Sequence, residues 1–237
     1  MKLIRQGTFE TNSSSTHALV VPHKVKKGKY DLFDSLDHEY CFGRGESRLV
    51  DDWDEKLAYI YYTIHSLVGY KWRDNQYTIT HKMVDEFKER VNKIYNEVYK
   101  IVKYKPYDGD PKPDDIFRYI ENEGNCDLVE DHIHLSDWSS PYVDHVGEFA
   151  NADEFFDKIF NDDEFLKRFI FNKDSYITVG GDEYRGFNIK TIGFEYDYES
   201  RYINHGTEDE PDYEEVGKFW KKLDKYKEKN DVFLKGN

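Results

Sequence analysis

The strongest folding signal in this sequence is an apolar stripe between residues 83 and 102. Its members are Met83, Val84, Phe87, Val91, Ile94, Val98, Ile101 and Val102. Spacings of three and four residues place these side chains on one face of a helix. Thr80 immediately precedes the pattern and can cap the helix N-terminus. The sequence therefore predicts a long helix that packs one apolar face against a core.

Four other segments also have helical patterns. Residues 51–70 place apolar side chains on one stripe, residues 114–123 suit a short helix, and residues 152–169 form one Phe-rich helix on this interpretation. Residues 212–229 predict a final helix with one apolar side. The apolar positions of these segments are Trp53, Leu57, Tyr61, Ile64 and Val68 in the first, Phe155, Phe156, Ile159, Phe160, Phe165, Leu166 and Phe169 in the third, and Val216, Phe219, Trp220, Leu223 and Tyr226 in the last.

Strand signals lie on both sides of these helices. Residues 18–21 form a short apolar run that ends at Pro22, and a hydroxyl-rich loop over residues 10–17 connects it to weak alternation near residues 3–9. Residues 128–135 alternate as a strand. Two further strands, over residues 175–179 and 186–198, flank a glycine turn that favours a hairpin.

This order predicts an α+β fold, in which a mixed or antiparallel sheet is packed by three to five helices. The sheet is expected to contain the N-terminal strands, a strand at Cys41, the strand of His132 and the C-terminal hairpin. We expect a single domain over residues 1–237. The proline-rich residues 104–113 are a candidate subdomain boundary.

Large rings supply much of the apolar material of the chain. Twenty Tyr and sixteen Phe in 237 residues are too many for a disordered polypeptide. We expect these rings to form the core, with Tyr hydroxyls reaching water at its edges. Two cysteines do not make a disulfide framework, and no apolar run has the length of a signal peptide or a membrane span. Cytoplasmic location is therefore expected.

Negative charge is concentrated between Pro106 and Phe165, which we call the acidic segment. It contains eighteen Asp and Glu and only three Lys and Arg, a balance of −15, whereas the other 177 residues balance to +1 and the chain to −14. Such a field repels nucleic acid and attracts basic surfaces. A solvated face that serves only solubility is the plainer explanation.

We expect the acidic segment to bind a basic partner through its carboxylates, with aromatic rings among the charges as anchors. The carboxylates predicted to make these contacts are Asp108, Asp110, Asp114, Asp115, Glu130 and Asp131, and the rings are Tyr107, Tyr119, Trp138 and Tyr142.

Residues 9–17 read Phe-Glu-Thr-Asn-Ser-Ser-Ser-Thr-His. This opening resembles the N-terminal signature of an uncharacterised family of phage and prophage proteins from low-GC Gram-positive bacteria. Further similar stretches are Phe42-Gly43-Arg44, residues 54–59, Asp144-His145, residues 169–177 and residues 180–184. The resemblance covers most of the chain. It implies an origin in a mobile genetic element rather than a particular activity.

Two functions fit these observations. In the first, the chain is an acidic interaction protein, such as an anti-CRISPR or other counter-defence inhibitor, that binds a basic host protein and neither nucleic acid nor membrane directly. In the second, it is a metal-dependent hydrolase or nuclease acting on nucleotides, with His17, His145 and Asp144 as ligands or base. Arg5, Arg44 and Arg48 would then approach the phosphate. Because no strong catalytic motif is present, we prefer the first function.

Cysteine and histidine residues form two candidate sets of zinc ligands. Cys126, His132 and His134 have compact local spacing, whereas His17, Cys41 and His145 lie beside the phage-like motifs. Thiolates and imidazoles suit zinc, and a structural site needs four such ligands, so both sets could contribute. Buried thiols and scattered polar histidines are the alternative. We expect one structural zinc that joins distant strands.

Overall fold

The computed structural model describes residues 16–26, 28–32, 40–42, 48–68, 78–103, 116–123, 142–143, 152–180, 202–204, 213–215 and 224–235. In chain order the elements are β1 (Thr16–Pro22), β2 (Cys41–Phe42), β3 (Arg48–Val50), α1 (Trp53–Ser66), α2 (His81–Val102), α3 (Ile116–Glu123), β4 (Tyr142–Val143), α4 (Ala152–Asn161), α5 (Asp163–Phe171), β5 (Tyr176–Gly180), β6 (Tyr202–Asn204), β7 (Tyr213–Glu215) and β8 (Asn230–Lys235). Residues 224–227 add one helical turn.

These elements make an α+β fold, as the sequence predicts. The main sheet has the order β3-β5-β1-β8, and every neighbouring pair in it is antiparallel. Leu19, at the centre of β1, pairs with Ile177 of β5 on one side and with Phe233 of β8 on the other. All three side chains are buried. Strands from the N-terminal, middle and C-terminal parts of the sequence are therefore paired in one sheet.

Helix α1 is the central helix of the core. Every residue from Trp53 to Ile64 is buried, including polar ones, so the stripe predicted from the sequence was too narrow. A helix that is covered on all sides needs packing partners on all sides. Sheet strands contact it at Tyr59, α2 and α5 contact it at Trp53, and α3 contacts it at Tyr62.

Helix α2 matches its prediction closely. The side chain of Thr80 accepts a hydrogen bond from the backbone N–H of Met83 (3.3 Å), which confirms the predicted cap. The buried face comprises Val84, Phe87, Val91, Ile94, Tyr95 and Val98. Ile101, predicted to belong to this face, is 55% exposed, whereas the next residue, Val102, packs against the core. The amphipathic pattern thus identified this helix and most of its buried side.

The predicted helix over residues 152–169 was wrong as a single element. It is divided into α4 and α5 at Asp162, whose side chain accepts a hydrogen bond from the backbone N–H of Phe165 (2.8 Å). An aspartate that satisfies free N–H groups in this way starts a new helix and competes with continuation of the preceding one. Arg90 of α2 donates to the backbone carbonyls of Ile159 (3.1 Å) and Phe160 at the end of α4.

The C-terminal helix predicted over residues 212–229 was wrong at its start, where residues 213–215 form β7 and pair with β6. Residues 224–227 are helical before β8 begins, and residues 216–223 lie outside the described part of the chain. Strand β8 had no prediction. Val232 and Phe233 are buried because β8 pairs with β1 from the opposite end of the chain. Pairing with a distant strand, which no local pattern encodes, therefore makes residues 230–235 a strand.

Other strand predictions had mixed outcomes. Thr16 and His17 begin β1, although the sequence placed them in a loop. Cys41 does lie on a strand, but β2 pairs in parallel with β4 and lies outside the main sheet. The predicted strands near residues 3–9, 128–135 and 186–198, and the boundary at 104–113, lie outside the described residues.

Rings fill the core, and some of their hydroxyls lie inside it rather than at its edges. Trp53 stacks on Phe171 with centroids 6.0 Å apart, and Phe155 meets Phe233 edge to face at 5.2 Å. Tyr59 and Tyr62 are fully enclosed, so their hydroxyls need partners inside the protein. The hydroxyl of Tyr62 donates to the backbone carbonyl of Ile120 (3.2 Å).

Asp231 in β8 gathers two cationic side chains and a histidine. His23 lies 3.4 Å from its carboxylate, Lys158 of α4 lies 3.2 Å away and Arg168 of α5 lies 3.3 Å away. The side chain of Asp231 is only 12% exposed. Arg168 also donates to the carbonyl of Pro22 at the end of β1 (2.8 Å). These contacts attach α4 and α5 to the edge of the sheet.

We expect Asp231→Asn to lower the free energy of unfolding by about 1–3 kcal/mol, because charge-assisted hydrogen bonds in a partly buried site are lost. Glu97→Gln is the control, since Glu97 is 48% exposed and pairs only across the surface with Lys167. Its effect should stay below about 1 kcal/mol. Urea denaturation measures both variants. Equal effects would contradict a special role for Asp231.

Candidate functional site

Most of the predicted contact residues of the acidic segment lie outside the described residues. These are Tyr107, Asp108, Asp110, Asp114, Asp115, Glu130, Asp131 and Trp138. Tyr119 lies in α3 and Tyr142 in β4, but the structure does not describe their side chains. The predicted binding set therefore stays a prediction, and the geometry of the acidic segment is given by α4 and the start of α5.

On α4 and α5, the acidic side chains face solvent and the basic side chains contact other parts of the protein. The acidic side chains are exposed at Asp153, Glu154, Asp157, Asp163 and Glu164. The basic side chains of the same helices contact protein groups: Lys158 and Arg168 bind Asp231, and Lys167 binds Glu97. Because these basic side chains contact protein groups while the acidic ones are exposed, the outward-facing charge of the two helices is negative. Asp163 is the exception among the acids, since it pairs with Arg90 (2.7 Å).

His17, a predicted metal ligand, is completely buried at the start of β1. Its Nδ1 shares a hydrogen bond of 2.9 Å with the hydroxyl of Tyr59, and the two rings meet edge to face. Burial without a nearby cation raises the pKa of Tyr59 well above its usual value. Tyr59 is therefore neutral at physiological pH and acts here as a hydrogen-bonding group.

The structure brings part of one predicted ligand set into the same neighbourhood. Phe42 contacts the ring of Tyr59 with centroids 5.2 Å apart, so β2 lies beside the residue that binds His17. Cys41 is in register with Tyr142, and β4 leads directly to Asp144-His145. The side chain of Cys41 is not described, and His145 lies outside the described residues.

The other ligand set, Cys126, His132 and His134, lies entirely outside the described residues. In the part of the chain that is described, no three His, Cys, Asp or Glu side chains form a group that could hold a metal ion.

Three consecutive charged residues in the first turn of α1 are buried. Asp54, Glu55 and Lys56 have exposures of 0%, 7% and 1%. Asp54 accepts a hydrogen bond from the hydroxyl of Tyr40 (2.9 Å). The sequence placed this stretch in a helix and in a phage-like match, but its burial was not predicted. The signal that could have found it is the presence of three charges at the start of an otherwise apolar helix.

Lys56 is the most strongly perturbed group of this turn. Its ammonium donates to the carbonyl oxygens of Asn172 (3.0 Å) and Ser175 (3.2 Å) and to the hydroxyl of Ser175 (3.1 Å). These three contacts hold the turn between α5 and β5. Burial lowers the pKa of Lys56 to about 7, and the carboxylates of Asp51, Asp52, Asp54 and Asp31 oppose that shift.

A cleft opens above Lys56 at the N-terminus of α1. Its volume is about 210 Å³. The lining side chains come from the start of α1, the end of α5 and the loop around residue 31. They are Asp31, Asp51, Asp52, Trp53, Lys56, Ile170, Phe171, Asn172 and Lys173. The cleft combines carboxylates at its mouth with N–H donors and rings in its wall.

Among the helices of the described residues, none has both the length and the apolar character needed to cross a membrane. The exposed apolar side chains in this part of the chain are Leu49 and Ile101, and they lie singly on β3 and α2.

Lys56→Met should change the pH dependence of stability. Between pH 7 and the ordinary lysine pKa of 10.5, the unfolded chain binds a proton that the folded protein has released. The free energy of unfolding of the wild type should therefore rise relative to the variant by about 1.4 kcal/mol per pH unit above pH 7. Below pH 7 both states are protonated, so the difference should be constant.

Urea denaturation at pH 5.5, 6.5, 8 and 9 measures this difference. Lys100→Met, which removes an exposed lysine of α2, is the control and should give no such slope. Parallel stability curves for the wild type and Lys56→Met would contradict a lowered pKa.

Comparisons with protein-family models, with curated proteins and with solved structures find no match for this chain. The resemblance of residues 9–17 to phage proteins therefore stays a prediction, and the interpretation of function depends on the residues and geometry described above.

Proposed function

We propose that this chain is an acidic interaction protein that binds a basic, nucleic-acid-binding protein in the cytoplasm of a bacterial host. The observation that carries the proposal is the separation of charge on α4 and α5. Exposed carboxylates at Asp153, Glu154 and Asp157 face solvent, while Lys158 and Arg168 of the same helices are bound to Asp231. A surface that served solubility alone would not need its basic side chains to be bound to other protein groups.

Charge complementarity explains what such a surface does. A negative surface accelerates encounter with a positive groove and loses that advantage as salt screens the charges. It also competes with nucleic acid, because the groove of the partner is built for phosphates. One form of this function is an anti-CRISPR or other counter-defence inhibitor that occupies the groove of a CRISPR effector. The acidic residues between Pro106 and Asn151 belong to the same acidic segment of the sequence.

Neutralising the exposed acids of α4 should weaken binding. The test compares Asp153→Asn/Glu154→Gln/Asp157→Asn with Asp85→Asn/Glu86→Gln/Glu89→Gln, which removes three exposed acids from α2. Each protein is used to capture partners from lysate at low salt. We expect the wild type and the α2 variant to retain a basic nucleic-acid-binding protein that added duplex DNA displaces.

The α4 variant should retain at least about tenfold less of that protein and show a weaker salt dependence. Recovery of no basic partner by the wild type at low salt would contradict the proposal. An equal loss of the captured partner in both variants would show that the exposed acids of α4 do not make the contact.

A metal-dependent hydrolase or nuclease acting on nucleotides is the second candidate. The observation that favours it is the convergence of His17 and the strand of Cys41 on Tyr59, with β4 leading to Asp144-His145. In the same neighbourhood we propose a structural zinc, for which His17, Cys41 and His145 are candidate ligands, and Cys126, His132 and His134 could complete the set. The ion would stabilise the contact between β1, β2 and β4.

Protein purified without added metal should contain about one zinc per chain by elemental analysis, and a chelator should lower its melting temperature. His17→Ala should lose the metal, whereas His81→Ala, at an exposed position of α2, should keep it. The same preparations are assayed with nucleotides and oligonucleotides, with and without divalent ions. Turnover that is lost in His17→Ala would support the second candidate. A zinc content near zero with no thermal shift would refute the metal.

A further inference from the structure

Positive charge collects at the end of the main sheet where β1 finishes and β8 begins. Residues 23–29 contain four Lys and no Asp or Glu, and residues 224–229 contain three Lys against two acids. These two segments balance to +5, whereas the whole chain balances to −14. We give the name lysine surface to five of their side chains: Lys24, Lys26, Lys225, Lys227 and Lys229.

Backbone hydrogen bonds hold the two segments together. The N–H of His23 donates to the carbonyl of Lys229 (2.8 Å), which continues the pairing of β1 with β8 by one residue. Within the first segment, the N–H of Lys29 donates to the carbonyl of Lys26 (3.1 Å), and Gly28 supplies the positive φ of +79° that this turn requires. The lysine surface therefore lies on a backbone that is fixed to the sheet.

The charges of the lysine surface are not used inside the protein. Four of its side chains are exposed and Lys227 is half-buried, and none of the five makes an ion pair with a described residue. A neighbouring cation, Lys29, does have a partner, since its ammonium lies 2.9 Å from the carboxylate of Asp174. Asp224 and Glu228 are the acids within the two segments, and both are exposed. Five positive charges against two negative ones thus face solvent.

Neither solubility nor stability explains these lysines. A protein gains solubility as its net charge moves away from zero. Because this chain is already at −14, each lysine brings its net charge closer to zero. Like charges that lie close together without partners also repel one another, which opposes folding. Binding of an anion is a role that accounts for them.

The surroundings of the lysine surface indicate the kind of anion. The large apolar side chains that are exposed in the described part of the chain are Leu49 on β3 and Ile101 on α2, so the lysine surface offers none. Protein–protein interfaces are depleted in Lys and use aromatic anchors, and interfacial membrane binding uses Trp, Phe or Leu beside the basic residues. Contacts with the phosphates of nucleic acid need cations alone.

We propose that the lysine surface binds the phosphate backbone of a nucleic acid without reading its sequence. Each ammonium acts as a point charge for a phosphate, and no side chain of the surface is placed to read bases. The net charge of the chain opposes this contact. Screening over about 10 Å at 0.1 M salt nevertheless leaves the nearby lysines as the charges that a bound phosphate meets. The proposal goes beyond the acidic interaction function and does not rest on it.

The test measures fluorescence anisotropy of a labelled duplex DNA of about 20 base pairs with the full chain, over salt from about 25 to 150 mM. We expect saturable binding by the wild type, with the logarithm of affinity falling linearly with the logarithm of salt. Lys24→Gln/Lys26→Gln/Lys229→Gln should bind at least about tenfold more weakly, with a salt slope smaller by about 1 for each lost phosphate contact.

The matched control is Lys82→Gln/Lys93→Gln/Lys100→Gln, which removes three exposed lysines from α2 and should bind like the wild type. The thermal unfolding midpoint verifies folding of both variants. Absence of saturable binding at the lowest salt overturns the proposal, and so does an equal loss of affinity in both variants.

Two further probes test the choice of nucleic acid. Displacement of the DNA by poly-L-glutamate as effectively as by unlabelled DNA of equal charge would assign the surface to an acidic protein segment and overturn the proposal. Retention of the wild type on phosphatidylserine vesicles without binding to DNA would do the same in favour of a membrane. Asp153→Asn/Glu154→Gln/Asp157→Asn should bind DNA no more weakly than the wild type, so failure of the acidic surface and failure of the lysine surface are distinguished.

Discussion

Burial of helix α1 on all sides from Trp53 to Ile64 is the constraint on which the rest of the structure depends. A helix that exposes no face must be covered by several elements at once. His17 of β1 covers it at Tyr59, Phe171 of α5 and Tyr95 of α2 cover it at Trp53, and α3 covers it next to Tyr62. Strands from both chain ends and helices from the middle are therefore organised around one fourteen-residue element.

The same burial explains the polar chemistry of the core. Asp54, Glu55 and Lys56 lie on the buried helix, so each charge needs a partner inside the protein. Lys56 finds its partners in the turn between α5 and β5, and Asp54 finds Tyr40. Placing an ammonium there lowers its pKa, yet it also fixes Asn172 beside Trp53. The wall of the cleft is thus shaped by the hydrogen bonds that the buried Lys56 ammonium makes inside the protein.

On the surface of α4 and α5, unlike in the core around α1, acidic and basic side chains have different roles. Around Asp231, the cations Lys158 of α4 and Arg168 of α5, together with His23 next to β1, join helices to the sheet. The acids of the same helices are left at the surface. One set of contacts therefore stabilises the fold and makes the remaining surface negative.

The sequence by itself determined the α+β class, the existence of α1, α2 and α3, the cap at Thr80 and the strand that contains residues 18–21. These features depend on local periodicity and capping, which act over a few residues. The division of 152–169 at Asp162 is also local and was overlooked.

Only the tertiary structure decided that β8 is a strand, that β2 pairs outside the main sheet, and that Asp54, Glu55 and Lys56 are buried. Each depends on residues far away in the chain: β1 for β8, Tyr142 for Cys41, and Asn172 with Ser175 for Lys56. These distant partners cannot be read from a helical pattern or a run of charges. Strand pairing and the desolvation of a charge depend on what packs against a segment, and not on the spacing of residues within it.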